Sequence, residues 1–305
     1  MNTRKKWKIS RERLGLTLLA LPFVAFIIAF NYVPLHGWLY SFYDFKLGIP
    51  LFRNKFVGLD NFKFFIQDWR TILHYLKNNL IFQGLGMLTS IVPVILAILL
   101  SEVRSKGFKK LVQTTTTLPN FISMIIVFSM VFSIFSVDGL LNKVLAALGL
   151  IKGEPSSVLM NGPFIYVFIT LIGIWKGAGW GAIVYLAGIA GIDSELYDAA
   201  SVDGAGRFRL IWHITIPGIL PTYVVLFLLS LGNLLSGSVE IPLIFMNSFV
   251  REQITTLDYY VYATALIGSD YSYAVAVSVF KSAISIVLLF GSNALARKVR
   301  GSNII

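Results

Sequence analysis

The 305-residue sequence contains no cysteine. No disulfide framework, thiolate metal site or cysteine nucleophile is available to it, although this absence does not fix a compartment. Charge is also scarce. Asp, Glu, Lys and Arg make up 13% of the chain, about half the ~25% of an ordinary soluble domain. Acidic residues are the scarcer sign, 15 against 26 Lys and Arg, for a formal charge of +11. The three histidines, His36, His74 and His213, are scattered, so there is no His/Glu cluster to hold a hydrolytic metal. There is no Gly-Lys dipeptide, which excludes the phosphate-cradling loop that ends in Gly-Lys-Ser/Thr. The chain does not bind ATP in that way, no motif makes it an enzyme, and no cofactor or metal is expected in it.

What fills the sequence instead is apolar surface: 56% of residues are hydrophobic and the mean hydropathy is +0.75. A spanning helix needs ~20 mostly apolar residues. Six runs approach this, at 14–33, 80–100, 118–135, 163–186, 219–235 and 274–295. The fifth is the shortest and holds Asn233. The first follows a basic flank (Arg4, Lys5, Lys6, Lys8, Arg11, Arg13), as a secretory signal would. It is long, however, and lacks a small-x-small site near its end, so it reads as an uncleaved anchor that exits the membrane at Asn31-Tyr32-Val33-Pro34. The expected fold is therefore an all-α integral membrane protein of six transmembrane helices. The whole chain, 1–305, reads as one membrane domain: a basic tail at 1–13, a membrane core at 14–295 and a second basic tail at 296–305.

Orientation follows from the basic residues in the short loops. The N-terminal tail, the turn with Arg104, Lys106, Lys109 and Lys110, the segment with Arg207 and Arg209, and the tail with Arg297, Lys298 and Arg300 fall on one side if there are six spans. That side is cytoplasmic, with both termini on it. The longer 41–77 loop is also basic, but it carries Asp44, Asp60 and Asp68 and does not outvote four segments. The positive charge reads as adhesion to anionic membrane lipid, not as nucleic-acid binding, because no soluble domain presents a groove. Outside the spans, 56–62 (FVGLDNF) predicts a turn at Gly58 and a helix capped by Asp60 or Asn61. Residues 138–150 predict an interfacial helix with Leu141, Val144, Leu145 and Leu148 on one face. Thr114 to Thr117 read as the polar start of the third helix.

The most informative stretch is polar. At 193–217, Asp193 or Ser194 caps a helix start, and Glu195 and Asp198 place negative charge in its first turn. Gly204 and Gly206 break the helix. A second short helix carries Phe208, Ile211 and Trp212 on one face, and Pro217 and Pro221 mark the start of the next apolar run. An apolar knob on a charged base suits docking into another protein's groove. The stretch resembles the loop of binding-protein-dependent ABC import permeases whose pattern is Glu-Ala-Ala, three residues, Gly, nine residues, Ile-x-Leu-Pro. Here it reads Asp198-Ala199-Ala200, Gly204, then Ile214-Thr215-Ile216-Pro217, with both spacings intact. Asp198 replaces Glu and Ile216 replaces Leu, which changes neither charge nor apolar character. Asp203-Gly204-Ala205 is typical of the sugar-importing branch. The bland alternative is an ordinary amphipathic connector. The 56–62 phrase is similar to that branch as well. Asp258-Tyr259-Tyr260-Val261-Tyr262, Asp270-Tyr271-Ser272-Tyr273-Ala274, Phe280-Lys281-Ser282 and Asn293 resemble permeases for plant- and algal-polysaccharide fragments.

The resemblance implies a type I ABC importer permease fold in the inner or cytoplasmic membrane of a prokaryote. It implies a second homologous permease, two ABC ATPase subunits that carry ATP and Mg, and an extracytoplasmic solute-binding protein that delivers an oligosaccharide. It also implies that Glu195, Asp198, Ala199, Ala200, Asp203, Gly204, Phe208, Ile214 and Pro217 couple the chain to the ATPase. For the substrate pathway, polar and aromatic residues in or near the apolar runs are the candidates: Trp175, Lys176, Tyr185, Asn233, Ser236, Glu240 and Lys281. The competing reading is that Lys176 and Lys281 pair with carboxylates or carbonyls, or reach an interface. Two other functions stay open: an ion-gradient-driven secondary transporter, although the last three spans do not repeat the first three, and a non-transport membrane scaffold.

Overall fold

The computed structural model describes residues 11–150 and 156–300. Residues 1–10 of the first basic tail and 301–305 of the second lie outside them. In chain order the helices are α1 (Arg11–Ile27), α2 (Asp60–Gln67), α3 (Trp69–Leu88), α4 (Ile91–Ser101) and α5 (Lys106–Thr117). They continue with α6 (Met124–Phe135), α7 (Leu140–Ala147), α8 (Gly162–Ala190), α9 (Ser194–Val202) and α10 (Arg207–Leu210). The last five are α11 (Ile216–Gly232), α12 (Glu240–Phe245), α13 (Arg251–Ile254), α14 (Leu257–Tyr262) and α15 (Tyr271–Arg300). One short hairpin, β1 (Tyr43–Asp44) with β2 (Lys55–Phe56), is antiparallel, with Tyr43 opposite Phe56. Six stretches are long and apolar enough to cross a membrane: Leu14–Phe42, Trp69–Ser101, Met124–Ala147, Gly162–Ala190, Arg207–Gly232 and Tyr271–Gly291.

The chain divides into two compact units. The first runs to Ile66 and includes Thr264–Val279. In it the first span does not end at Pro34 but runs on to Phe42. A wide π turn, Ile28–Tyr32, leads into a 3₁₀ stretch, Val33–Phe42, with Pro34 in its first turn, where a missing amide costs nothing. The hairpin then folds back. Asn61 lies within α2; its Nδ2 donates to Ser41 O (2.8 Å) and Tyr43 O (3.2 Å) and so pins the hairpin to α2. Phe45 N donates to Ser272 Oγ at 2.9 Å, which fixes the start of α15 against the hairpin.

The second unit comprises Gln67–Ala263 and the chain from Phe280 onward. The long α8 is its axis. One side of α8 packs Ala182 and Tyr185 against Val94 and Ala97 of α4 and Ile219 of α11. Another packs Ile165, Phe168, Ile169 and Ile172 against Val127 and Val131 of α6, Phe245 of α12 and Ile254 of α13. Lipid tails are as apolar as these side chains, so close fit, not exclusion from water, holds such helices together. Gly179 shows the fit: a Cβ there would overlap the backbone carbonyl of Thr116.

The third span differs from expectation. Thr114 to Thr117 end the separate helix α5, and a 3₁₀ turn, Leu118–Phe121, breaks the chain before α6 begins. Pro119 in that turn cannot donate to a helical ladder. Residues 138–150 do contain a short helix, α7, ended by Gly149 at φ 67°.

Candidate functional site

The polar stretch at 193–217 forms as its capping signals dictate. Asp193 accepts from Glu195 N at 2.9 Å, which starts α9. Gly204, at φ 76°, ends it in the left-handed conformation, with Ala205 N bonded to Ala200 O at 2.9 Å. The second half is not a separate short helix. α10 passes through a wide π turn, Ile211–Thr215, directly into α11, giving one rod, Arg207–Gly232. Proline at 217 lacks an amide and would crowd the carbonyl of His213; the widened turn just before it absorbs both defects. His213 Nδ1 pairs with Arg209 O at 3.0 Å inside this turn.

Glu195, Asp198, Ala199, Asp203, Gly204 and Pro217 are exposed, and Ala200 and Ile214 are half-buried. Phe208 is 90% exposed and Val202 88%, so neither is packed against another of the described residues. Ala200, Asp203, Arg209, His213 and Ile214 line a concavity of about 310 Å³ between α9 and the rod. Tyr197 OH and Thr215 Oγ1, 3.0 Å apart, tie the two together. Arg207 ties the rod to α4: its Nε lies 3.1 Å from Glu102 Oε2, and its Nη2 donates to Glu102 O at 2.9 Å. The knob is therefore continuous with the fifth span through the rod and tied to the end of α4 by one arginine.

The candidate pathway residues separate. Lys176 Nζ donates to Asn120 O (2.9 Å), Ile122 O (2.5 Å) and Pro119 O (3.3 Å). Its three donors satisfy the carbonyls freed by the break in the third span. Trp175 faces a crevice of about 360 Å³ with Val127, Met130 and Phe168, walled almost wholly by apolar side chains. Tyr185 is buried in the α4–α8 core. Lys281 pairs with Asp258. Asn233, Ser236 and Glu240 are exposed around the non-helical segment between α11 and α12.

A different face of α8 borders open space. Thr170, Gly173 and Gly177, at helical spacing, face Phe82 and Gly86 of α3, with Ser90 and Pro93, across a groove of about 330 Å³. Phe82 also borders a smaller pocket of about 130 Å³, lined by Gln83, Ser236, Gly237, Ser238, Ile241 and Thr256. The groove thus offers one aromatic face and small side chains that leave backbone within reach, and the pocket on the other side of Phe82 adds polar groups at Gln83 and Ser236. None of the expected pathway residues lines the groove, and only Ser236 lines the pocket. The i, i+4, i+8 spacing of Phe82, Gly86 and Ser90, and of Gly173 with Gly177, is the signal in the sequence that marks this face.

Six apolar spans, an exposed apolar knob continuous with one of them and a small-residue groove fit a membrane permease. The chain belongs to the family of binding-protein-dependent transport system inner membrane components, whose model matches residues 89–301. It is 38% identical to Protein LplB of Bacillus subtilis (strain 168), over 97% of this chain and 90% of that one. It is also 38% identical to the polygalacturonan/rhamnogalacturonan transport system permease protein YteP of the same organism, over 93% and 88%. Among solved structures, a chain of a bacterial ABC transporter involved in the import of the acidic polysaccharide alginate is 32% identical, with a TM-score of 0.83 over 96% of this chain and 98% of that one. A chain of the alginate transporter in complex with an alginate pentasaccharide-bound periplasmic protein is 31% identical, with a TM-score of 0.84 over 98% and 99%. The chain is a multi-pass permease subunit of the ABC importer class, as the 193–217 resemblance implied.

Proposed function

We propose that this permease carries an oligosaccharide cut from a polysaccharide, handed to it by an extracytoplasmic binding protein. It works as a single membrane domain beside a second homologous permease, above two ABC ATPase subunits that bind ATP and Mg. The complex sits in the inner or cytoplasmic membrane of a prokaryote, with both termini on the ATPase side. The observation that carries this reading is the knob: exposed Phe208 and Val202 beside a rod that runs without interruption into the fifth span. A docking knob with a direct mechanical link is what an importer powered by a separate ATPase requires. The cargo path follows Phe82, Gln83, Gly86, Thr170, Gly173, Gly177 and Ser236, an aromatic face with polar and backbone groups that suits a sugar. Trp175, Lys176, Tyr185 and Lys281 serve the scaffold. The cargo of the similar permeases makes oligogalacturonides the first to test, with alginate oligomers as the comparator.

The experiment is reconstitution of both permeases, the ATPase and the binding protein in liposomes. Uptake of labelled oligosaccharide should need ATP and every component. Uptake by this permease with ATPase alone would sink the partner assignment. Uptake driven by an ion gradient without ATP would sink the mechanism.

A further inference from the structure

After α11 ends at Gly232 the backbone is not helical again until Glu240. Such a segment beside apolar spans must satisfy its amides and carbonyls outside a helical ladder. Turn bonds serve Asn233 N, Leu234 N and Ser236 N, and four long-range bonds involving side chains serve others. Asn79 Nδ2 donates to Leu235 O (2.7 Å) and Gln83 Nε2 to Ser236 O (2.6 Å). Gly237 N donates to Asp258 Oδ2 (2.6 Å), and Thr256 Oγ1 donates to Ser238 O (2.7 Å). Asp258 is the hub. Its Oδ1 pairs with Lys281, and its Oδ2 also lies 3.4 Å from Asn79 Nδ2. Asn79 Oδ1 in turn accepts from Leu257 N at 3.1 Å. The ion pair is mostly dehydrated, with side-chain exposures of 17% for Lys281 and 25% for Asp258.

The arrangement has a chemical logic. One carboxylate oxygen of Asp258 accepts from Lys281 and the other from the Gly237 amide, so this single side chain ties α15 to the 235–238 backbone. The junction is also closely fitted: a Cβ on residue 237 would lie 2.7 Å from Asp258 Oδ2 and 2.8 Å from Asn79 Oδ1. Residues 236–238 form one wall of the 130 Å³ pocket, whereas Asp258 and Lys281 do not line it.

We infer that Asp258, paired with Lys281, is a positioning residue that fixes the 235–238 backbone as a wall of the cargo pocket. The role of the pocket rests on the proposed function; the fixing of the wall does not. Ser236→Cys in this cysteine-free chain gives a thiol on that wall, and a water-soluble maleimide reads its exposure in the purified complex without any cargo. Asp258→Asn should speed labelling about tenfold, the effect of losing one charge-assisted hydrogen bond. It should raise the oligosaccharide concentration for half-maximal uptake by a similar factor while maximal ATP hydrolysis changes less than about twofold. Exchanging the charges, with Asp258→Lys and Lys281→Asp together, restores the pair but removes the acceptor from Gly237. Thermal stability should recover while fast labelling persists. If Asp258→Asn fails to assemble, Gly237→Ala spreads the same junction with the ion pair retained and should also speed labelling. Unchanged labelling in the variant that assembles, or slow labelling restored by the charge exchange, would overturn the inference. Failure of the wild-type complex to import any oligosaccharide would refute the cargo assignment alone and leave the labelling result to decide the positioning role.

Discussion

Replacing Lys176 with Met tests whether this intramembrane charge serves the backbone or the cargo. Met keeps the length of the stem and removes all three donors. Two of the bonds, to Asn120 O at 2.9 Å and Ile122 O at 2.5 Å, are short, and the third, at 3.3 Å to Pro119 O, is long and weak. Hydrogen bonds to a charged group are worth roughly 1.5–3 kcal/mol net, so two good ones contribute about 3–6 kcal/mol. Keeping a lysine at mid-span costs about 2.5–3.5 kcal/mol on insertion scales, and the substitution recovers that. The midpoints of these ranges leave a net destabilisation of about 1.5 kcal/mol, a drop of a few degrees in melting temperature for a chain of this size. Thermal unfolding of the purified complex measures it. Lys176→Gln, which retains two donors on a shorter stem, should lose less. The half-saturating oligosaccharide concentration for uptake should not move. A melting temperature at the wild-type value, with half-saturation raised tenfold, would falsify the carbonyl-capping account and return Lys176 to the cargo path.

Phe208→Ala should leave the melting temperature unchanged, because a side chain 90% exposed contributes nothing to the fold, yet abolish stimulation of the partner ATPase. Gly204→Ala meets no neighbouring atom and strains only the backbone at φ 76°, so it should cost about 1–2 kcal/mol locally and weaken ATPase binding modestly. Gly204→Pro cannot adopt that φ at all, and uptake should be lost while membrane insertion survives, as read by fractionation. Glu102→Gln should change stability by less than about 1 kcal/mol, since Arg207 and Glu102 are partly exposed. It should nonetheless raise the ATP hydrolysed per oligosaccharide imported if Arg207 conveys knob movement to the second span. An unchanged ratio removes that link.

The legible parts of this fold are those whose physics is local. The start of α9 at Asp193 and its stop at Gly204 are read from residue types and spacing, and both form as expected. The spans are legible as apolar runs, but their ends are not. The second begins at Trp69, eleven residues before its apolar run at 80, because Asn78 and Asn79 look like loop residues. Their partners lie far along the chain: Asn78 donates to Glu252 O (2.6 Å) and Thr255 O (2.8 Å) and accepts from Tyr166 OH (2.7 Å). A count along the sequence registers the polarity and misses its satisfaction. Pro217 misleads in the opposite direction, since it signals a break that the π turn before it removes. The groove is partly legible in the spacing of Gly173 and Gly177, but its depth depends on how α3 meets α8.

These misreadings share one cause. In an apolar surrounding, a polar side chain within or beside a span is most often needed where the helical ladder is open, because each unpaired backbone group there costs several kcal/mol. Lys176 stands at the break around Pro119, and Asn79, Gln83 and Asp258 stand at the break between α11 and α12. The charged residues of the spans thus mark broken backbone before they mark cargo. An open ladder held by side chains is also where a span rearranges with the fewest backbone hydrogen bonds to exchange. The second of these breaks borders the pocket beside Phe82, and the rod that carries the knob ends at Gly232, directly before it. Phe208 is therefore joined, along one helical stretch, to the segment whose backbone Asp258 holds.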